Sequence, residues 1–333
     1  MDNPKTLADV AAAAGVSKMT ASRALRAAPD VSAATQEKVR AAAEQLGYVG
    51  NPLANSLSSN RSNLIGVLVP TLSNIVFTDL LSGITESFSG TGYQTIFGVT
   101  EYDPEVEALA IQNILSWRPA GLVITGLDQP PSLRARLAAT DIPVVQVMDL
   151  DGEAVDTCVG FSHKRAGADM ARALMAAGRR KFGYIGCGLN RDTRAAKRLD
   201  GFTAALSEQG QALQSQTTKP GLSSVLAGQQ MTAELLAQAP DLDCIYYSND
   251  DMAMGGLFYA MKQGIDVPGH LMLAGFNGLD ILKTLPAPIA TTITPRRDIG
   301  QTAAQVVLNA LSGEGNSASP NRIAFETIID LGL

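Results

Sequence analysis

The sequence predicts an all-α helix-turn-helix head followed by a two-lobed α/β body, each lobe built on a parallel sheet, in one chain of 333 residues. Three observations predict it. Fewer than 50 N-terminal residues hold three short amphipathic helical segments, with a glycine between the first two. From about residue 62, continuous apolar runs of strand length alternate with amphipathic helices, the pattern of parallel sheets with helical crossovers. These alternations fall into two sets, one before about residue 160 and one after. At roughly 100–200 residues per domain, two or three domains are expected.

In the head, residues 6–14 (TLADVAAAA) form the first helix, with Thr6 as its N-cap and Asp9 as the capping-box acid. Leu7, Val10, Ala11 and Ala14 share one face. Gly15 ends the helix, where a positive φ is cheap only for glycine, and Val16 is an apolar plug. Ser17 caps a second helix running to about Arg26, and Ser32 caps a third that ends at Gly47. Helix, glycine turn and helix at this spacing make a helix-turn-helix. Lys18, Met19, Thr20, Ser22 and Arg23 fall on or near the outer face of the second helix, where short polar groups and cations suit base edges and phosphates. The pattern alone also fits a small solvated three-helix bundle.

Tyr48-Val49-Gly50-Asn51-Pro52 then leads into LANSLSSNRS. Asn51 can cap a short helix with Pro52 at its first position. That helix is too short and polar to stand alone, so it reads as a linker that folds on a partner. Leu57 is either a wedge for the minor groove or a linker residue packed on a domain. The run TLADVAAAAGVSKMTASRALR…VSAATQEKVRAAAEQLGYVGNPLANSL resembles the DNA-binding head of the lactose/galactose-repressor family of bacterial transcriptional regulators. The motifs are A-x-x-A-G-V-S, T-x-S-R, L-G-Y-x-x-N-P and the hinge leucine. The resemblance implies base reading by Lys18, Met19 and Thr20, operator contact by Ser22 and Arg23, and intercalation by Leu57, with Asn51 and Asn55 beside it. Thr6 and Ser17 complete the expected DNA-contact set.

The body elements are strands at 64–70, 93–99, 120–126, 143–149, 158–162, 182–187, 244–248 and 271–276. Helices lie between them at 75–92, 104–117, 133–140, 164–178, about 194–210, 222–239 and 251–264. Late in the chain, 291–295 and a helix around 298–312 return to the first lobe, and 322–331 ends in the second. The expected boundaries are a head at 1–50, a hinge at 51–62 and a body at 63–333. Lobe one takes about 63–160 and 290–320, and lobe two about 161–289 and 321–333. The order resembles the family body, which is periplasmic-binding-protein-like.

Ligands of open parallel sheets bind beyond the strand C-termini, and two facing lobes make a cleft there. By match to the family motifs, the effector positions are Asn74, Phe77, Asp149, Phe161, Arg194, Arg198, Asn249 and Asn277, with Asp250 as a support. Arg194 and Arg198 are four apart at a helix start, so they share a face and both favour an anion. A solvated helix start is the other reading of that basic cluster. GVLVPTLSNIVFTDLLSGI, LSWRPAGLVITG, PVVQVMD…VGFSH and GFNGLD resemble the branch of the family that represses sugar-acid operons. They imply a sugar acid such as gluconate, acting as inducer. Asn277 departs from the Asp that many members use for sugar hydroxyls, and an acid ligand is compatible with that change.

Composition narrows the alternatives. The net charge is −6, divided as +2 over residues 1–61 and −8 over 62–333, a split that chance fluctuation also produces. Hydrophobic residues are 46% and charged residues 17%, with a mean hydropathy of +0.09. No apolar run reaches the ~18–20 residues of a membrane helix, and the N-terminus has no secretory pattern. That argues against a transporter's solute-binding protein and for a cytoplasmic, nucleoid-associated one. Cys158, Cys187 and Cys244 make no clamp and read as small buried hydrophobes. Two histidines, His163 and His270, are too few for a His-based metal site. No phosphate loop, dinucleotide fingerprint or nucleophile–base set supports an enzyme. No cofactor or metal is expected. His163 reads as a cap neighbour and Trp117 as packing at a helix end. The aliphatic stripe of the 75–89 helix reads as core and subunit interface. The absence of a C-terminal leucine heptad predicts a homodimer without a tetramerising coiled coil. A corepressor instead of an inducer remains the alternative within the family.

Overall fold

The computed structural model describes residues 5–49, 62–314 and 321–333. The chain forms two compact units, Met1–Ser62 and Asn63–Leu333.

The head contains α1 (Leu7–Ala13), α2 (Lys18–Leu25) and α3 (Ala33–Gln45). Asp9 Oδ2 accepts from the Thr6 backbone N–H at 2.7 Å and from its hydroxyl at 2.8 Å, fixing the start of α1. Gly15, at φ +61°, makes the turn. Ser17 Oγ accepts from Thr20 N at 3.0 Å, and Ser32 Oγ from Thr35 N at 3.3 Å. The core is Val10, Ala11, Ala14, Ala21, Ala24, Val39, Ala42 and Ala43. Side chains this small let three short helices meet closely, while the polar face of α2 stays outward.

The body runs β1 (Leu64–Val69), α4 (Ile75–Phe88), β2 (Gln94–Val99), α5 (Pro104–Ser116), β3 (Gly121–Thr125), α6 (Pro131–Ala138), β4 (Val144–Val147) and β5 (Thr157–Gly160). It continues with α7 (His163–Ala176), β6 (Phe182–Cys187), α8 (Thr193–Glu208), β7 (Leu213–Lys219), α9 (Val225–Gln238), β8 (Cys244–Tyr247), α10 (Asp250–Gln263) and β9 (Met272–Ala274). A 3-10 turn (Asp280–Thr284), β10 (Thr291–Ile293), α11 (Arg296–Ser312), β11 (Asn321–Ala324) and β12 (Ile328–Asp330) complete it. The first sheet has the order β11-β5-β4-β3-β1-β2 and the second β7-β6-β8-β9, with every pairing parallel. β3, β4 and β5 are buried along their whole length, which is why they read as continuous apolar runs.

Helices pair face to face where glycines remove the side chain. A Cβ at Gly167 would lie 2.0 Å from Arg198 O, and one at Gly201 1.9 Å from Lys164 O, so α7 and α8 touch backbone to backbone. Gly83 and Gly300 do the same for α4 and α11, each 2.3 Å from the facing carbonyl.

The strand pairing corrects three expectations. The segment 322–331 is not one strand of the second lobe. Its first part, β11, runs parallel to β5 in the first sheet, and its second, β12, lies antiparallel to β10. β10 was expected in the first lobe, but it continues the second sheet. Ala290 N donates to Leu273 O (2.9 Å), Gly275 N to Ala290 O (2.7 Å) and Asn277 N to Thr292 O (3.0 Å), so β10 satisfies the backbone left open beyond β9. The return to the first lobe begins at α11. β7 was not anticipated: LQSQTTK is an edge strand that alternates half-buried and exposed positions, so it carries no apolar run. The chain therefore passes between the lobes three times, at 161–162, 294–295 and 325–327.

Candidate functional site

On the head, the N-terminal half of α2 is open. Lys18 is exposed and Met19 is 73% exposed. Thr20 and Ser22 are half-buried, and the Thr20 hydroxyl lies 2.8 Å from Ser17 Oγ. Arg23 pairs with Asp30 across the bend after α2. Thr6 and Ser17 are the caps of α1 and α2. The expected hinge contacts Asn51, Asn55 and Leu57 lie outside the described residues.

In the body, a cleft opens between the two lobes. Six of the expected effector residues line it together: Asn74, Phe77, Arg194, Arg198, Asn249 and Asn277. Asn74 caps α4 through Val76 N at 3.1 Å, and Asn249 caps α10 through Met252 N at 3.1 Å. Both amides are thus fixed by the helix starts that follow strand ends. Phe161 and Asp149 sit one layer behind. The Phe161 ring packs on His163, with centroids 4.7 Å apart, and on Phe276 at 6.0 Å. Asp149 is fully buried and holds Lys197 Nζ at 2.6 Å, and the same ammonium reaches Asp128 at 2.8 Å. Burial pushes the Asp149 carboxyl up, with the Lys197 charge acting against that rise.

The two arginines differ. Arg194 lies between the rings of Phe77 (5.9 Å) and Tyr102 (5.8 Å), with the Asp192 carboxylate 4.0 Å away. Burial works against its charge, and Asp192, Tyr102, Asp149 and Asp128 more than offset it. Arg198 is 6% exposed, stacks 4.0 Å over Phe276, and donates to Ser248 O at 2.8 Å. Its other terminal nitrogen is 3.0 Å from His163 Nδ1, and its Nε has no hydrogen-bond partner. Among the described residues no carboxylate is paired with it.

His163 is held neutral, first by burial and then by Arg198 and Arg194. Arg198 can only donate and Met148 O can only accept, so Nδ1 accepts and Nε2–H donates to Met148 O at 2.8 Å. Both ring nitrogens are engaged. Asp250, buried below the cleft, accepts from Leu279 N at 2.9 Å and from the Thr291 hydroxyl at 2.7 Å. It thereby orders the loop of Phe276 and Asn277, the latter at φ +122°.

Sequence reasoning missed Tyr102, Met148, Asp192 and Phe276 as lining residues and set His163 aside as a cap neighbour. Tyr102 follows the C-terminal end of β2, the position that singled out Asn74 and Asn249, so the same rule applied to that loop finds it. Among the described residues, no cluster of three or more His, Cys, Asp or Glu could hold a metal ion, and no helix is long and apolar enough to cross a membrane.

The helix-turn-helix head and the two-lobed cleft have counterparts in known proteins. Residues 6–51 match the family described as bacterial regulatory proteins, lacI family, and residues 62–329 match periplasmic binding proteins and sugar binding domain of LacI family. The HTH-type transcriptional regulator GntR of Pseudomonas aeruginosa is 39% identical over 324 residues, covering 96% of this chain and 93% of that protein. A LacI-family transcriptional regulator from Silicibacter pomeroyi has a crystal structure with TM-score 0.93 and 46% identity, covering 98% of each chain. The lac repressor dimer bound to operator and the anti-inducer ONPF has TM-score 0.84 at 25% identity, again over 98% of each chain. The chain belongs to the lacI family of bacterial regulatory proteins and is a DNA-binding transcriptional regulator.

Proposed function

We propose that this protein represses transcription as a homodimer on a near-palindromic operator, and that a sugar acid such as gluconate enters the interlobe cleft and releases it. The head at 1–50 reads the major groove through Lys18, Met19, Thr20, Ser22 and Arg23, with Thr6 and Ser17 at the helix starts. The hinge at 51–62 supplies Asn51, Asn55 and the wedge Leu57, and the body from 63 binds effector and partner subunit. The exposed N-terminal face of α2 and the likeness to an operator-bound repressor dimer support the DNA half. It acts in the cytoplasm, where its operator lies.

One observation carries the acid: Arg198 is a buried cation with an unpartnered Nε and no paired carboxylate, at the floor of a cleft lined by carboxamides. A buried charge without a counter-charge is costly, and a ligand carboxylate is the missing partner. Asn277 suits this, since an aspartate there would repel an acid. For release, the acid must favour the DNA-incompetent state.

The test is fluorescence anisotropy on a selected operator duplex. Gluconate should weaken binding about 5- to 150-fold, the usual range of allosteric coupling. Sorbitol, its uncharged analogue, should not. Arg198→Ala should bind operator and ignore gluconate. A response to sorbitol, or an intact gluconate response in Arg198→Ala, overturns the carboxylate assignment; tighter operator binding with gluconate makes it a corepressor.

A further inference from the structure

Arg296 opens α11 immediately after the passage between lobes at 294–295, and it holds three groups at once. Its Nε and one terminal nitrogen donate to Asp79 Oδ2 on α4, at 2.9 and 2.8 Å. The other terminal nitrogen donates to the backbone carbonyl of Asn277 and, at 3.0 Å, to Thr294 Oγ1. The guanidinium is 11% exposed. Asn277 lines the cleft from the second lobe, and α4 begins with Asn74 and Phe77, which line it from the first.

We propose that Arg296 is the positioning residue that couples occupancy of the cleft to the placement of α4. Asn277 has φ +122°, a conformation that side-chain-bearing residues rarely adopt, so its peptide plane is held by its hydrogen bonds and not by local preference. A ligand that engages the Asn277 side chain turns that plane. The carbonyl then moves relative to a guanidinium whose other edge is fixed on Asp79. Behind Asp79, α4 and α11 form one unit: the Gly83 and Gly300 contacts bring their backbones together, and Arg297 pairs with Glu86. Such a pair does not absorb a displacement by side-chain adjustment, so it moves as a body. Arg296 does not line the cleft, so it acts through Asn277. The planar fork is what permits simultaneous grip of a carboxylate and a carbonyl; lysine offers no such geometry.

This inference rests on the proposed release by a sugar acid, and the experiment separates the two. Operator affinity is measured with and without saturating gluconate for the wild type, Arg296→Met, Arg296→Lys and Asp79→Asn, and the ratio of the two affinities is the readout. Arg296→Met is expected to bring a wild-type ratio of about 5- to 150-fold to within about threefold of unity. Arg296→Lys should recover little, and Asp79→Asn should reduce the ratio in the same direction. The double variant should be no worse than Arg296→Met alone, as for two groups acting in one chain of contacts. A merely structural role would lower both affinities and preserve the ratio, and that result overturns the proposal. Should Arg296→Met fail to fold, Asp79→Asn decides, because that carboxylate is half-exposed. An unresponsive wild type overturns the sugar-acid reading and this proposal with it; a responsive wild type with responsive variants overturns this proposal alone.

Discussion

Asp250 touches no cleft-lining side chain in a hydrogen bond, yet it decides where two of them stand. Burial pushes its carboxyl up to about 6, against the hydrogen bonds from Leu279 and Thr291. The folded chain therefore favours the protonated form, and that contribution to stability is full below about pH 4 and gone once pH has risen past about 6. Asp250→Asn cannot ionise, and its single carbonyl oxygen serves one of two donors. The variant should be less stable by about 1–3 kcal/mol, with the gap to wild type narrowing as pH rises from 4 to 7. Denaturant titrations across that range check both the size and the slope. At this scale the sequence revealed polar residues better than apolar ones. Asn74, Asn249, Arg194 and Arg198 follow strand ends, where a polar or cationic side chain has no core to join. Phe276 and Met148 also line the cleft, but an apolar residue at a strand end looks the same in sequence whether it faces core or ligand. His163 is the cap neighbour of Ser162 that its place at a helix start suggests, but its contacts with Met148 O and Arg198 were not legible because those partners are distant in sequence.

Elements pack here by removing side chains as much as by matching them. Gly201 and Gly167 bring α7 against α8, and a methyl group at Gly201 would overlap Lys164 O. Since backbone cannot step aside as a flexible side chain does, Gly201→Ala should cost about 1–3 kcal/mol or more, seen as a lower denaturant midpoint. It should also disturb the cleft, because α8 starts beside Arg194 and Arg198. An unchanged midpoint would mean that the two helices separate freely. The sequence showed the buried strands and the amphipathic helices, because their apolar periods are strong. It did not show β7, whose alternation of half-buried and exposed residues belongs to a sheet edge. Nor did it divide β11 from β12, since pairing partners more than 30 residues away, not local pattern, decide which sheet a short strand joins.

Across the whole molecule, the lobes are clasped by charge. Lys197 and Thr193 at the start of α8 reach Asp128, Lys197 also reaches Asp149, and Arg191 reaches Asp103 at 3.2 Å. Lys197→Met would leave Asp149 buried without its cation, and loss of one partner of a buried pair costs about 3–5 kcal/mol. A fall in the denaturant midpoint at constant slope is the expected result, and no fall would show that Asp149 finds another partner or a proton. The three passages between the lobes give this clasp its meaning. The first and third leave the sheet side by side, from β5 and β11, with Phe325 N bonded to Gly160 O at 2.7 Å. The second and third are joined again where β10 pairs with β12. Each ladder joins strands within one lobe, β5 with β11 in the first and β10 with β12 in the second, so a motion of one lobe on the other leaves both whole and falls on the three passages and the charged clasp. The few residues at 161–162, 294–295 and 325–327 are therefore where any change in the placement of the lobes is taken up, so a molecule that bridges the cleft acts on three short stretches of backbone while both sheets keep their pairing.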